Sequence, residues 1–139
     1  MAIASGLLLK KMENKTCKDR VKGALKSRME DLRTLNEADN FETEELGNLG
    51  DYGLCIDFVP EGTFDNQREP YARYQISYGG PSEEFRIYGN GDVEFWFLDW
   101  FDGGGELLDG DDAALIKEIV FQGESWDSWT AQRREEAKE

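Results

Sequence analysis

Any chemistry in this sequence rests on carboxylates, because its 139 residues include no histidine. Without imidazole there is no Ser-His-Asp or Cys-His couple, and zinc sites lose their commonest ligand. Cys17 and Cys55 fall in different segments with no metal spacing, and they read as reduced thiols of a reducing compartment. Two acidic clusters come closest to a site: Asp99-Trp-Phe-Asp102 and Asp109-Gly-Asp-Asp112. Neither has the alternating ligands, internal glycine and distant glutamate of a calcium loop. Turn formation and capping of a following helix account for the second cluster without a metal. Gly103-Gly-Gly105 lacks the lysine and spacing of a phosphate cradle, and the acids around it repel anions; it reads as a flexible loop. Asn14-Lys-Thr16 matches a glycosylation acceptor, which only a secreted chain would use. No catalytic residue, cofactor or metal is assigned. The expectation is a protein that binds, with a carboxylate-dependent hydrolase as the enzymatic alternative.

Charge is the largest signal. The chain carries 16 Lys and Arg against 30 Asp and Glu, a net charge of −14. Residues 1–33 hold nine basic residues against four acids, whereas residues 34–139 hold seven against twenty-six. Two windows contain no Lys or Arg: 34–67 with nine acids, and 87–116 with eight. Such asymmetry speaks of partners and solubility rather than of fold.

The elements that position these residues follow from periodicity. Over 15–36, Val21, Leu25, Met29, Leu32 and Leu35 recur at helical spacing, which predicts an amphipathic helix. Thr16 and Asp19 form a variant capping box at its start. Lys15, Lys22, Lys26 and Arg33 run beside the stripe, as a solvated flank or as a ridge that pairs with the acidic remainder or with a second copy. The stripe itself is expected to be buried on a sheet or in a two-fold dimer. Residues 37–52 read as an acidic connector with a helical turn at Phe41–Leu46.

Strands are expected at Gly53–Val59, Tyr71–Tyr78, Glu84–Tyr88 and Asp92–Trp100, with turns at Gly79-Gly-Pro-Ser82 and Gly89-Asn-Gly-Asp92. Asp92–Trp100 is apolar on both faces, as in a central or doubly covered strand. A helix follows over Ala113–Gln122 and is stopped by Gly123; residues 124–139 form a charged, helical end. This is one α+β domain over 1–139: an N-terminal amphipathic helix, an antiparallel meander of about four strands and a C-terminal helix. Residues 1–14 read as a flexible lead, too short and too poor in early basic residues for a signal peptide. With 4 Trp, 5 Tyr and 8 Phe, the 53–122 region has enough apolar bulk for a core. No run is long enough to span a membrane, so the expected setting is cytoplasmic.

An acidic folded surface can occupy a groove built to hold phosphates, excluding nucleic acid while associating quickly. The acids expected to face such a partner are Asp99, Asp102, Glu106, Asp109, Asp111 and Asp112, exposed around a Gly-rich turn with no basic neighbour in sequence. Trp100 and Phe101 are the expected anchors, with Tyr88, Trp96, Trp126 and Trp129 as further exposed aromatics. The block Tyr78-Gly-Gly-Pro-Ser-Glu-Glu-Phe-Arg-Ile-Tyr88, followed by Val93-Glu-Phe-Trp-Phe-Leu-Asp-Trp-Phe-Asp-Gly103, resembles small orphan proteins of phages and conjugative plasmids, among them anti-CRISPR and antirestriction proteins. That resemblance covers about a quarter of the chain and implies an inhibitor acting in the cytoplasm of an infected host. Its partner would be a nucleic-acid-binding defence protein, a CRISPR effector or a restriction enzyme, blocked by DNA mimicry. It brings no catalytic motif. A general protein-interaction adaptor is the alternative in which aromatics, rather than charge, make the contact.

Overall fold

The computed structural model describes residues 17–99 and 102–138. Helix α1, Cys17–Glu37, forms where the apolar stripe predicts it. Val21, Leu32 and Leu35 are fully buried, Met29 nearly so, and Leu25 is half-buried. Val21, Met29 and Leu32 join one apolar cluster with sheet residues, and Leu25 packs against it, so the stripe offered to either a sheet or a second copy is taken by the sheet. Thr16, of the expected capping box, lies outside the described residues.

The connector departs from expectation. A 3-10 turn at Asp39–Phe41 leads into a two-residue ribbon, β1 Glu42–Thr43 against β2 Gly47–Asn48, and then a single helical turn, α2 Leu49–Tyr52. The helical turn expected over Phe41–Leu46 is absent. Asn40 and Phe41 both sit in the left-handed region, which ends the 3-10 turn and sends the chain outward into the ribbon. Asn48 caps α2, its Oδ1 accepting from the Asp51 amide at 2.9 Å.

Five strands follow rather than four: β3 Cys55–Val59, β4 Tyr71–Ser77, β5 Ser82–Tyr88, β6 Val93–Asp99 and β7 Asp102–Leu107. They pair antiparallel in sequence order, so β3 and β7 are the edges. The added strand is the Gly103–Gly105 run that reads as a loop. In the register, Leu98 faces Gly103 and Trp96 faces Gly105. A Cβ at Gly105 would approach the Trp96 ring to 2.7 Å, and one at Gly103 would approach Leu98 to 2.9 Å. Glycine is required here because large β6 side chains lie across the neighbouring strand.

Alternation then sorts the sheet into two faces. Ala72, Tyr74 and Ile76, Phe85 and Ile87, and Val93, Phe95 and Phe97 are buried on one. With them cluster α1 and helix α3, Gly110–Phe121, which closes on the same face through Leu115, Ile116 and Val120. Helix α4, Trp126–Ala137, completes the layer. Its Trp129 lies edge-on to Phe58 and Phe121, with centroids 6.1 and 5.4 Å away. Trp129 is therefore core, 2% exposed, and Trp126 is half-buried, which corrects their expected exposure.

The opposite face carries Asp57, Tyr71, Arg73, Glu84, Arg86, Tyr88, Glu94 and Trp96. None of these belongs to the apolar cluster. β6 is internal as expected, but its second face is mixed rather than apolar, because Glu94 shares it with Trp96 and Leu98.

Burial along α1 makes an ordered stability prediction. Leu32→Ala should cost about 2–5 kcal/mol, since a fully buried leucine leaves a cavity that rigid neighbours cannot fill. Leu25→Ala, at a half-buried position, should cost clearly less. Urea unfolding of both variants checks this; equal losses would contradict the placement of the helix.

Candidate binding surface

The six acids expected to face a partner do not form one free patch. Asp99 accepts from Arg20 Nη1 at 2.7 Å, and Arg33 pairs with Asp112. Lys22 reaches Glu106 at 4.0 Å. Three of the six are thus partnered by cations of α1, contrary to the expectation that no Lys or Arg neutralises them. The reason is tertiary: α1 packs along β6 and β7, which brings a basic segment against acids 79 positions away. Asp109 is the N-cap of α3, accepting from the Asp112 amide at 2.8 Å, a structural duty that fixes its side chain. Asp111 stands exposed in the first turn of α3, where its charge favours the helix dipole. Asp102 is exposed and accepts from the Gly103 amide at 3.0 Å. Trp100 and Phe101 lie outside the described residues.

A deeply buried polar link also starts on α1. Glu83 is 6% exposed, and Arg28 donates to its two oxygens at 3.3 and 2.5 Å. Ser77 Oγ donates to the same carboxylate at 2.9 Å. Arg28 also donates to the Tyr52 hydroxyl at 3.1 Å, and that hydroxyl donates to Asp31 at 2.6 Å. This chain joins α1, α2, β4 and β5 through a nearly dry carboxylate, where each bond is stronger than on the surface. The hydrogen bond that Arg28 donates to Glu83, together with the negative charge of Glu83, raises the Arg28 pKa above its ordinary value against the opposing effect of burial. Burial, reinforced by Asp31 as acceptor, pushes Tyr52 up to about 12.

On the open face of the sheet a second network is fixed in place. Arg86 lies over the Trp96 and Tyr71 rings, 4.6 and 5.0 Å from their centroids, and donates to buried Glu84 at 2.7 Å. Tyr88 and Trp96 both donate to Glu94, at 2.8 and 3.0 Å. Arg73 grips Asp57 with two donors, at 2.9 and 2.7 Å. Tyr88 and Trp96, expected as exposed anchors, are half-buried members of this network. Their polar atoms already have partners.

Uncompensated charge collects elsewhere, at the C-terminal end of α1 and on the ribbon. Glu37, Asp39, Glu42, Glu44 and Glu45 are exposed, and none makes an ion pair among the described residues. Beside them opens a groove between the α1 end and the α3 end, floored by Ile56 and Tyr74. Phe41, Leu54 and Ile56 line it with 53%, 60% and 41% of their surfaces exposed. Exposed apolar side chains with Glu42 and Glu118 among the lining, close in sequence to further exposed acids, have the anatomy of an interface: an apolar centre with a polar rim.

The sequence marks half of this surface. The acids fall in the basic-free 34–67 window, but Leu54 and Ile56 read only as one face of a strand, together with Phe58. Phe58 packs against Trp126 and Trp129 of α4, whereas Leu54 and Ile56, nearer the start of the edge strand, stay exposed. Tyr74 is in the same floor, and burial pushes its hydroxyl up to about 12. Among the described residues, no three His, Cys, Asp or Glu side chains gather as a metal site, and no helix is long and apolar enough to cross a membrane.

Four tyrosines, Tyr52 and Tyr74 with Tyr71 and Tyr88, set an alkaline limit. Their folded pKa values lie above the ordinary value of 10, so the neutral hydroxyl is favoured by folding. The associated stability is complete below pH 10 and is lost as pH rises towards 12. Chemical denaturation should show a plateau from pH 7 to 9 and a fall above 10. Tyr74→Phe should remove about 1–2 kcal/mol of that fall. An unchanged alkaline slope in the variant would contradict the burial of Tyr74.

Comparison with protein-family models, with curated proteins and with solved structures found no match.

Proposed function

We propose that this protein acts by binding, as an acidic inhibitor of a nucleic-acid-handling defence complex of the host, of the anti-CRISPR or antirestriction kind. It occupies the cationic surface where DNA or RNA would lie. The observation that carries this reading is the run of exposed acids Glu37, Asp39, Glu42, Glu44 and Glu45, which make no ion pair among the described residues and of which Glu42 lines the groove with exposed Phe41, Leu54 and Ile56. Charge brings the partner in quickly, and the apolar centre holds it. The contact surface is therefore moved from the α1 flank to the ribbon end, where the acids make no ion pair among the described residues. Asp111 extends it on the α3 side.

Two further features favour binding over catalysis by carboxylates. The most buried carboxylates, Glu83 and Glu84, are each gripped by an arginine at 2.5 and 2.7 Å. Neither is placed to exchange a proton with a substrate. The adaptor alternative uses the same groove and differs only in its indifference to salt.

The test is a pull-down from bacterial lysate at two salt concentrations, followed by competition against the captured protein's nucleic acid with kinetics resolved. Glu42→Lys, Glu44→Lys and Glu45→Lys should each weaken inhibition by about 1 kcal/mol or less, chiefly by slowing association. Ile56→Ala should act through faster dissociation, by roughly 2 kcal/mol for a true anchor. The isolated protein should not bind duplex DNA, because its field repels phosphate. If the charge variants inhibit as well as the unaltered protein at both salt concentrations, mimicry is wrong and the adaptor replaces it.

A further inference from the structure

The groove has a feature that a flat acidic surface would not need: one wall is an open sheet edge. Strand β3 pairs with β4 and, among the described residues, has no strand on its other side. Edge strands are commonly blunted by lysine, by proline or by a bulge. β3, Cys55-Ile-Asp-Phe-Val59, has none of these: its sequence has no Lys or Pro and its register to β4 is unbroken. Its one charge, Asp57, is held by Arg73 on the opposite face. On the groove side it shows Ile56, continued by Leu54 and Phe41.

We propose that this edge accepts an extended segment of the partner protein as a further strand, apolar at every second position and flanked by lysine or arginine. The inference rests on reading the protein as an acidic binder and names what that partner presents. Side chains one residue apart on an added strand point to opposite faces, so every second one would enter the groove over Ile56 and Leu54. The groove is open and has a volume of about 1080 Å³, larger than a small-molecule pocket needs and suited to a length of chain. Charge selects the occupant. Glu42 and Glu118 stand on the rim, and among the described residues no Lys or Arg lines the groove. A second copy of this chain would bring the same acids against them, at a cost that grows as salt falls.

The experiment uses the full chain, labelled with 15N and with 13C methyl groups, and the nine-residue peptide Lys-Lys-Val-Thr-Val-Thr-Val-Lys-Lys. Binding should shift the amides of Leu54–Phe58 and the methyls of Leu54, Ile56 and Ile119. Affinity should fall by about tenfold or more with Ile56→Lys. It should fall similarly when alternate peptide amides are N-methylated, which removes ladder hydrogen bonds without touching the protein. A peptide with serine for valine should bind much more weakly, and one with glutamate for lysine should not bind. If the serine peptide binds as well, or the shifts fall elsewhere, strand addition is overturned while the charge-based inhibitor reading stands. Failure of the competition assay alongside peptide binding at β3 would instead sink the inhibitor reading. Concentration-dependent shifts of β3 without peptide would assign the edge to a second copy. Contacts between the methyls of Leu54 or Ile56 and those of Ile3 or Leu7–Leu9 in the free chain would assign it to the protein's own N-terminal segment. Either result overturns the proposal.

Discussion

Docking of α1 onto the sheet is the interaction on which the other features depend. Its centre is apolar: Val21, Met29 and Leu32 close over the β-face that carries Phe85, Phe95 and Phe97. Each such side chain contributes about 1.5–3 kcal/mol when fully buried, whereas an exposed ion pair contributes about 0–1 kcal/mol. Burial therefore supplies the stability of the docking. The ion pairs along its flanks, from Arg20 to Asp99, Lys22 to Glu106 and Arg33 to Asp112, set where the helix lies and relieve repulsion among the acids beside it. Arg28 with Glu83 is the exception, because its carboxylate is nearly dry and an unpaired charge there is costly.

This arrangement divides the surface. A chain whose basic residues gather at one end would, if that end were free, be a strong dipole able to bind itself or nucleic acid. Folding α1 back against β6 and β7 sets its arginines against acids of the same chain, leaving the molecule acidic where the helix ends. The ribbon, with Glu42, Glu44 and Glu45, projects just there. It is followed directly by the open edge of β3, so charge and apolar contact come together at one end of the fold. Structural acids and acids available to a partner are thus separated by position, although their sequence neighbourhoods look alike.

The helical stripe of α1 was legible because five apolar residues spaced by three and four lie on one face of a helix and scatter over both faces of a strand. The four strands with alternating side chains were legible from the complementary period of two. β7 was not, because Gly103, Gly104 and Gly105 carry no pattern of their own; what makes them a strand is the bulk of Trp96 and Leu98 next door. Trp129 gives no period by itself, and only the rings of Phe58 and Phe121 show it to be core. The acidic patch was misjudged for a different reason. The absence of nearby Lys or Arg in sequence says nothing about a helix 79 positions away. Leu54 and Ile56 were recognised as a strand face, but which strand forms the sheet's edge is a property of topology.

The central claim is that α1's arginines are engaged within the molecule, and the Arg28–Glu83 pair tests it most directly. A double-mutant cycle with Arg28→Met and Glu83→Gln, measured by urea unfolding, isolates the coupling from the other contacts of each side chain. The account predicts a coupling of about 2 kcal/mol, little reduced by salt because Glu83 is buried. It also predicts that Arg28→Met alone is more damaging than Arg33→Met. A coupling near zero, with Arg28→Met costing no more than a surface substitution, would mean that the helix is not held to the sheet in this way, leaving its basic face free for a partner.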